Sequence, residues 1–170
     1  MTDTGERLEG WVRVHQPVVY RAAWLILRDD AAAEDVAQET FLRAFRNADK
    51  LEPEADARPW LYRIAVNLAL NRLRSRRRED RALTRLGPRV ALWEDDASER
   101  GAGEDTVADA LRRLPDRLRV PVILRYYLDL SEKDIARALG VRPGTTKSRL
   151  SEARRLLAAD RSIATAAGRG

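Results

Sequence analysis

Residues 131–150 read Ser131-Glu-Lys-Asp-Ile-Ala-Arg-Ala-Leu-Gly140-Val-Arg-Pro-Gly-Thr-Thr-Lys-Ser-Arg-Leu150. Ser131 can cap a helix, and Asp134 stands where a capping box wants an acid. Ile135 and Leu139 are one turn apart and can share a buried face. Gly140 suits the left-handed residue that ends such a helix. Val141 would plug the turn, and Pro143 can open a second helix. On that second helix Thr146, Leu150, Ala153 and Leu157 fall on one side. A turn of about 100° per residue puts Gly144, Ser148, Ser151, Glu152 and Arg155 opposite. Lys147, Arg149 and Arg154 flank that outer face. Apolar behind, small and basic in front, is what a recognition helix needs. Small residues permit close approach to a groove, arginine can read guanine, and lysine can neutralise phosphate. The competing reading is an ordinary helical hairpin with a solvated basic face. The expected DNA-binding set is Arg142, Thr145, Lys147, Ser148, Arg149, Ser151, Glu152 and Arg155.

Composition points the same way. The formal net charge is +5, which suits an anionic partner, and nucleic acid is the commonest one. Hydrophobic residues make up 44% of the 170, enough for a packed core in one medium domain or two small ones. Ala, Leu, Arg and Glu recur and β-branched runs are short, so helices are favoured. With no cysteine there is no disulfide and no thiolate metal site, which fits a reducing cytoplasm. No apolar stretch approaches the roughly 20 residues that cross a bilayer, so no membrane insertion is expected. The N-terminus, Met1 to Arg7, is polar and mixed in charge, unlike a signal peptide.

Outward from the helix-turn-helix, three zones appear: 6–78, dense in helical pattern; 79–105, irregular; and 106–159, helical again. The middle zone holds Gly87-Pro88, Gly101, Gly103 and an acidic cluster from Glu94 to Asp105, and reads as a flexible linker. The last few residues, through Ala166 to Gly170, read as a frayed tail. The fold expected is all-α: two small helical domains, a bundle and a helix-turn-helix unit, joined by that linker.

In the first zone Val18 to Arg28 is strongly apolar and ends at Asp29-Asp30. Ala33, Val36, Ala37, Thr40, Phe41, Ala44 and Phe45 then follow the spacing of a helix with one buried face. The face away from that core carries Asp35, Gln38, Glu39, Leu42 and Arg46. A third helix starts near Pro59 and sends Leu61, Ile64, Ala65 and Leu68 toward a core. It combines aromatics, amides and arginines. Trp60 and Tyr62 could stack on unpaired bases, or Trp60 could simply pack. Asn67 and Asn71 could hydrogen-bond base edges or backbone, and Arg58, Arg63, Arg74, Arg76, Arg77 and Arg78 could bind phosphates.

Three segments in a fixed order resemble one family. Asp35-Val-Ala-Gln-Glu-Thr-Phe-Leu-Arg-Ala-Phe45 resembles the polymerase-binding helix of extracytoplasmic-function (ECF) sigma factors, within the sigma-70 family. Arg58-Pro-Trp-Leu-Tyr-Arg-Ile-Ala-Val-Asn67-Leu-Ala-Leu-Asn-Arg-Leu-Arg74 resembles their −10 element segment. Leu114-Pro-Asp-Arg, Val122-Ile-Leu-Arg-Tyr-Tyr127 and the helix-turn-helix resemble their −35 binding domain. The resemblance implies a σ2-like bundle and a σ4-like helix-turn-helix domain, with no enzymatic activity and no cofactor. It implies core RNA polymerase as partner, through the β′ clamp helices and the β flap, together with promoter DNA. Control by an anti-sigma factor in the cytoplasm is implied as well. Asp35, Gln38, Glu39, Leu42 and Arg46 become the expected polymerase contacts. An exposed leucine ringed by acids suits a basic partner helix, whereas without the family it reads as a solvated face.

Three positions depart from the family. Asn71 replaces a common aspartate, Thr146 a usual valine, and Glu152 lies where a basic residue is frequent. An outward Glu152 can pair with Arg149 or Arg155, or accept from a cytosine amino group. His15, the lone histidine, has no companion for a metal and reads as structural or surface. No catalytic motif and no metal-ligand constellation is seen. The alternative function is a stand-alone helix-turn-helix regulator acting without polymerase. A nucleic-acid enzyme is the more distant one.

Overall fold

A computed structural model describes residues 3–50, 56–84 and 106–160. Every regular element among them is helical. In order these are α1 (Asp3–Leu27), α2 (Asp30–Arg46), α3 (Arg58–Thr84), α4 (Thr106–Arg113), α5 (Asp116–Val122), α6 (Glu132–Leu139) and α7 (Pro143–Ala159). A single 3-10 turn covers Ala48–Lys50, and α5 runs on as a π-helical turn over Ile123–Tyr127.

Helices α1, α2 and α3 pack on one another as a three-helix bundle. Val19, Ile26, Val36 and Leu61 are wholly enclosed at its centre. Small residues on α2, Ala33, Ala37 and Ala44, let the neighbouring helices approach closely. The turn into α2 is set locally. Arg28 takes a left-handed φ of 57°, and Asp29 caps the next helix by accepting from the Ala32 N–H at 2.7 Å. Thr40, buried on α2, is satisfied by donating to the Val36 carbonyl at 2.7 Å.

Helices α5, α6 and α7 form the second core around Leu118, Ile123, Leu124 and Ile135. Ser131 caps α6, accepting from the Asp134 N–H at 3.1 Å. Its hydroxyl in turn donates to the Asp134 carboxylate at 2.6 Å, so the predicted acid engages the capping side chain. Gly140 ends α6 at φ 67°, and the Val141 N–H bonds back to the Ala136 carbonyl at 3.0 Å. Pro143 opens α7, with Thr146, Leu150 and Ala153 buried beneath it. Pro121 sits inside α5 and lacks the N–H that would continue the ladder there. The wider π turn follows two residues later.

Two sequence expectations change. Helix α3 continues to Thr84, so residues 79–84 extend the bundle's last helix rather than opening an irregular segment. No helix breaker interrupts it before Gly87. Phe45, expected in the core, is 65% exposed. It lies on the α2 turn where the core-facing stripe is already closed by Ala44. The acidic cluster around Glu94 to Asp105, Trp93 and the tail lie outside the described residues.

The two halves touch. Arg119 of α5, 4% exposed, donates to the Ile26 carbonyl at the end of α1 at 3.1 Å. Arg112 of α4 lies 5.2 Å from the ring centroid of Trp24 on α1. Arg77 of α3 pairs with Asp116 of α5 at 2.6 Å, and Arg74 reaches the Ala138 carbonyl at 3.4 Å.

Candidate polymerase and promoter interfaces

Helix α2 turns one continuous face outward. Asp35, Gln38, Leu42 and Arg46 are exposed and Glu39 is half-buried. Asp35 accepts from Arg72 of α3 at 3.1 Å, and Glu39 from Arg43 one turn on at 2.6 Å. Neither pair removes the acids from solvent, and exposed pairs of this kind contribute about 0–1 kcal/mol. Leu42 is 51% exposed and Phe45 is three residues on, so the face presents two large apolar side chains in an acidic rim. Phe45 was missed because its spacing also fits the buried stripe. Only the packing of α1 and α3 decides which side it takes.

Helix α3 carries the aromatic, amide and arginine set. Arg58, Arg63, Asn67, Asn71, Arg74 and Arg77 are exposed. Asn71, Arg74, Arg77, Arg78 and Arg81 line an open cleft of about 440 Å³ along the second part of α3. Four guanidinium groups around one cleft make a strongly anion-attracting surface. Trp60 is half-buried, edge-on to Trp11 with ring centroids 6.0 Å apart. Tyr62 is the correction in this set. It is buried, its ring meets His15 edge-on at 5.9 Å, and burial raises its phenol pKa. A ring packed into the bundle cannot offer its face to an unpaired base. His15 itself is half-buried, and burial lowers its pKa below the usual 6.5.

Helix α7 presents the third surface. Arg142, Lys147, Ser148, Ser151 and Arg155 are exposed, and Thr145, Arg149 and Glu152 are half-buried. The Ser148 hydroxyl donates to the Thr145 carbonyl at 3.0 Å. Glu152 pairs with neither Arg149 nor Arg155. Both its oxygens accept from Arg117 of α5, at 2.7 and 2.8 Å. The reason is geometric: the first turn of α5 lies against α7, and Arg117 meets the carboxylate with two parallel donors.

Known proteins match both halves. The family model "Sigma-70 region 2" matches residues 11–79, and "Sigma-70, region 4" matches residues 104–157. The ECF RNA polymerase sigma factor SigW of Bacillus subtilis is 30% identical over 157 residues, 86% of this chain and 84% of that one. The chain belongs to the ECF sigma factors of the sigma-70 family. RNA polymerase sigma-H factor of Pseudomonas aeruginosa is 35% identical over 139 residues, covering 75% of this sigma factor and 72% of the relative. Among solved structures, the sigma factor RpoE in complex with the anti-sigma factor NepR from Bartonella quintana superposes with a TM-score of 0.64. It is 25% identical, covering 89% of this chain and 94% of that one.

This sigma factor is therefore a polymerase specificity subunit: it binds core RNA polymerase and directs it to −10 and −35 promoter elements. The stand-alone regulator is not supported, because region 2 occupies the whole first half of the described fold. No helix among the described residues is long and apolar enough to cross a membrane.

Proposed function

We propose a division of this work among three helices. The outward face of α2, with Asp35, Gln38, Glu39, Leu42, Phe45 and Arg46, grips the β′ clamp helices. The carrying observation is the adjacent exposure of Leu42 and Phe45 in a rim of acids, on a helix whose other side is buried. Two apolar anchors among charged side chains are the composition of a protein interface, and with Asp35 and Glu39 each paired to an arginine the face offers a phosphate backbone no excess of positive charge. The polar face of α3, with Arg58, Trp60, Arg63, Asn67, Asn71, Arg74 and Arg77, takes the melted −10 strand. The N-terminal two-thirds of α7 enters the −35 major groove, and the rest of the second half meets the β flap.

Arg74 and Arg77 reach Ala138 and Asp116 across the join between the halves. The Arg77–Asp116 side chains are 46% and 29% exposed, so the pair contributes roughly 0–1 kcal/mol. A phosphate backbone competes easily with an interaction of that size. Promoter binding thus exchanges the second half for DNA along the end of α3. The likeness to a sigma factor solved with its anti-sigma factor supports a similar partner for this chain. Membership of the sigma factors supports work in the cytoplasm, beside a polymerase to which this chain leaves all chemistry.

Run-off transcription with purified core polymerase on genomic promoter fragments tests the reading. A discrete start that depends on this chain is expected. Random initiation, unchanged by adding it, overturns the proposal.

A further inference from the structure

Arg117 occupies the first turn of α5, next to Asp116. A cation at a helix N-terminus opposes the helix dipole, so its place is not explained by stability of α5. Asp116 is already engaged, one oxygen by Arg77 and the other by Arg119. Arg117 instead reaches α7 and takes both oxygens of Glu152, while its side chain stays 54% exposed. A guanidinium has five N–H donors. Two are used, and three remain on a group held at the rim of α7; the exposed pair is weak, so it orients Arg117 without withdrawing it from a phosphate. Glu152 stands one turn beyond Ser148, on the outward stripe that continues to Arg155.

A bare carboxylate at that position would repel phosphate. Here its charge is countered and each oxygen already accepts one Arg117 hydrogen bond, which weakens both its repulsion of phosphate and its draw on a cytosine amino group. The hydrogen bonds from Arg117 hold the Glu152 carboxyl below its ordinary range, and the same bonds raise the Arg117 pKa, so both groups stay charged at neutral pH. We propose that Arg117 is a DNA-backbone contact of the −35-binding surface, and that Glu152 is the positioning residue that fixes it there rather than a reader of bases. The inference rests on α7 being the −35 reader. It adds to that surface a cation from a different helix.

The test uses holoenzyme assembled from full-length sigma factor and core polymerase. Binding is measured to a duplex library randomised across the −35 window and, for the most enriched duplex, across a salt series. Arg117→Gln is expected to weaken every duplex about five-fold and to lower the salt slope by about one. Glu152→Gln is expected to leave the preferred sequence unchanged, and in its background the Arg117→Gln penalty shrinks. The reversed pair, Arg117→Glu with Glu152→Arg, is expected to melt like wild type. It moves the cation onto α7 and creates a guanine preference at one position. A changed base preference in Glu152→Gln alone overturns the proposal, because Glu152 would then read a base. Unchanged affinity in Arg117→Gln with a lowered melting temperature overturns it too, leaving only a staple between helices. Lys147→Gln separates the two levels. If it weakens binding while Arg117→Gln does not, only this proposal falls. If neither does, the reading of α7 falls.

Discussion

The Arg119 guanidinium donates to the Ile26 carbonyl oxygen at 3.1 Å across 93 positions of sequence. That carbonyl belongs to the last turn of α1, where helical carbonyls have no partner of their own. The same side chain also reaches Asp116 at 2.6 Å and the Leu114 carbonyl at 3.4 Å. One buried cation therefore closes the end of a helix in one half while organising the first turn of α5 in the other. Burial lowers its pKa, with Asp116 opposing, and an arginine remains charged regardless.

Arg119→Met keeps much of the volume and removes the charge. It strands the Ile26 and Leu114 carbonyls and leaves Asp116 with Arg77 alone, so a loss of about 2–3 kcal/mol is expected. Urea unfolding followed by far-ultraviolet circular dichroism checks the loss. Small-angle scattering should report a larger radius for the variant, because the halves lose their one fully buried polar link among those described. A radius equal to wild type would separate Arg119 from that role.

Leu42→Arg places a charge on the exposed face of α2, outside the bundle core. Folding should be unchanged, while affinity for core polymerase falls by tenfold or more. Phe45→Ala should produce a smaller loss in the same direction, since it truncates an anchor without adding a clash. Fluorescence anisotropy of labelled sigma factor with purified core gives both values. Wild-type affinity in both variants removes α2 as the interface.

Asp29 links acid stability to the start of α2. The Ala32 N–H is the main cause holding its carboxyl below the ordinary 3.8; burial opposes, and Arg76 at 2.8 Å assists. The folded pKa is lower than the unfolded one. The stabilisation is therefore complete above about pH 4 and is lost as pH falls through the folded value. Asp29→Ala should cost about 1 kcal/mol at neutral pH. The gap between variant and wild type should close as the solution is acidified below about pH 4. A gap independent of pH would show that the cap does not depend on the carboxylate charge.

Gly140 adopts φ 67°, and a Cβ placed there would meet no atom within 4 Å. The cost of Gly140→Ala is then conformational alone, about 1 kcal/mol. Gly140→Asn should recover a large part of it, because asparagine tolerates the left-handed region. Differential scanning calorimetry of the three proteins orders them glycine, asparagine, alanine. Equal melting of the two variants would mean the backbone at this turn has shifted.

Local rules carried much of this molecule. The capped start of α6, the left-handed Gly140, Pro143 at the head of α7 and the buried stripe Thr146, Leu150 and Ala153 were all legible, since each depends on neighbours within a turn or two. The acidic outward face of α2 was legible for the same reason. Phe45 was not, because two faces of one helix competed for it and only the positions of α1 and α3 chose. Tyr62 was not either: an aromatic on a basic helix looks the same in sequence whether its ring meets a base or His15.

Sequence by itself determined that the chain is helical, the cap, turn and second helix of the helix-turn-helix, and the order of motifs that marks an ECF sigma factor. Tertiary structure alone decided which partners the arginines take: Ile26 for Arg119, Asp116 for Arg77, Glu152 for Arg117. A guanidinium on three methylenes sweeps a wide volume and finds acceptors tens of residues away. Its partner is fixed only when the packed cores bring those distant backbones and carboxylates within reach.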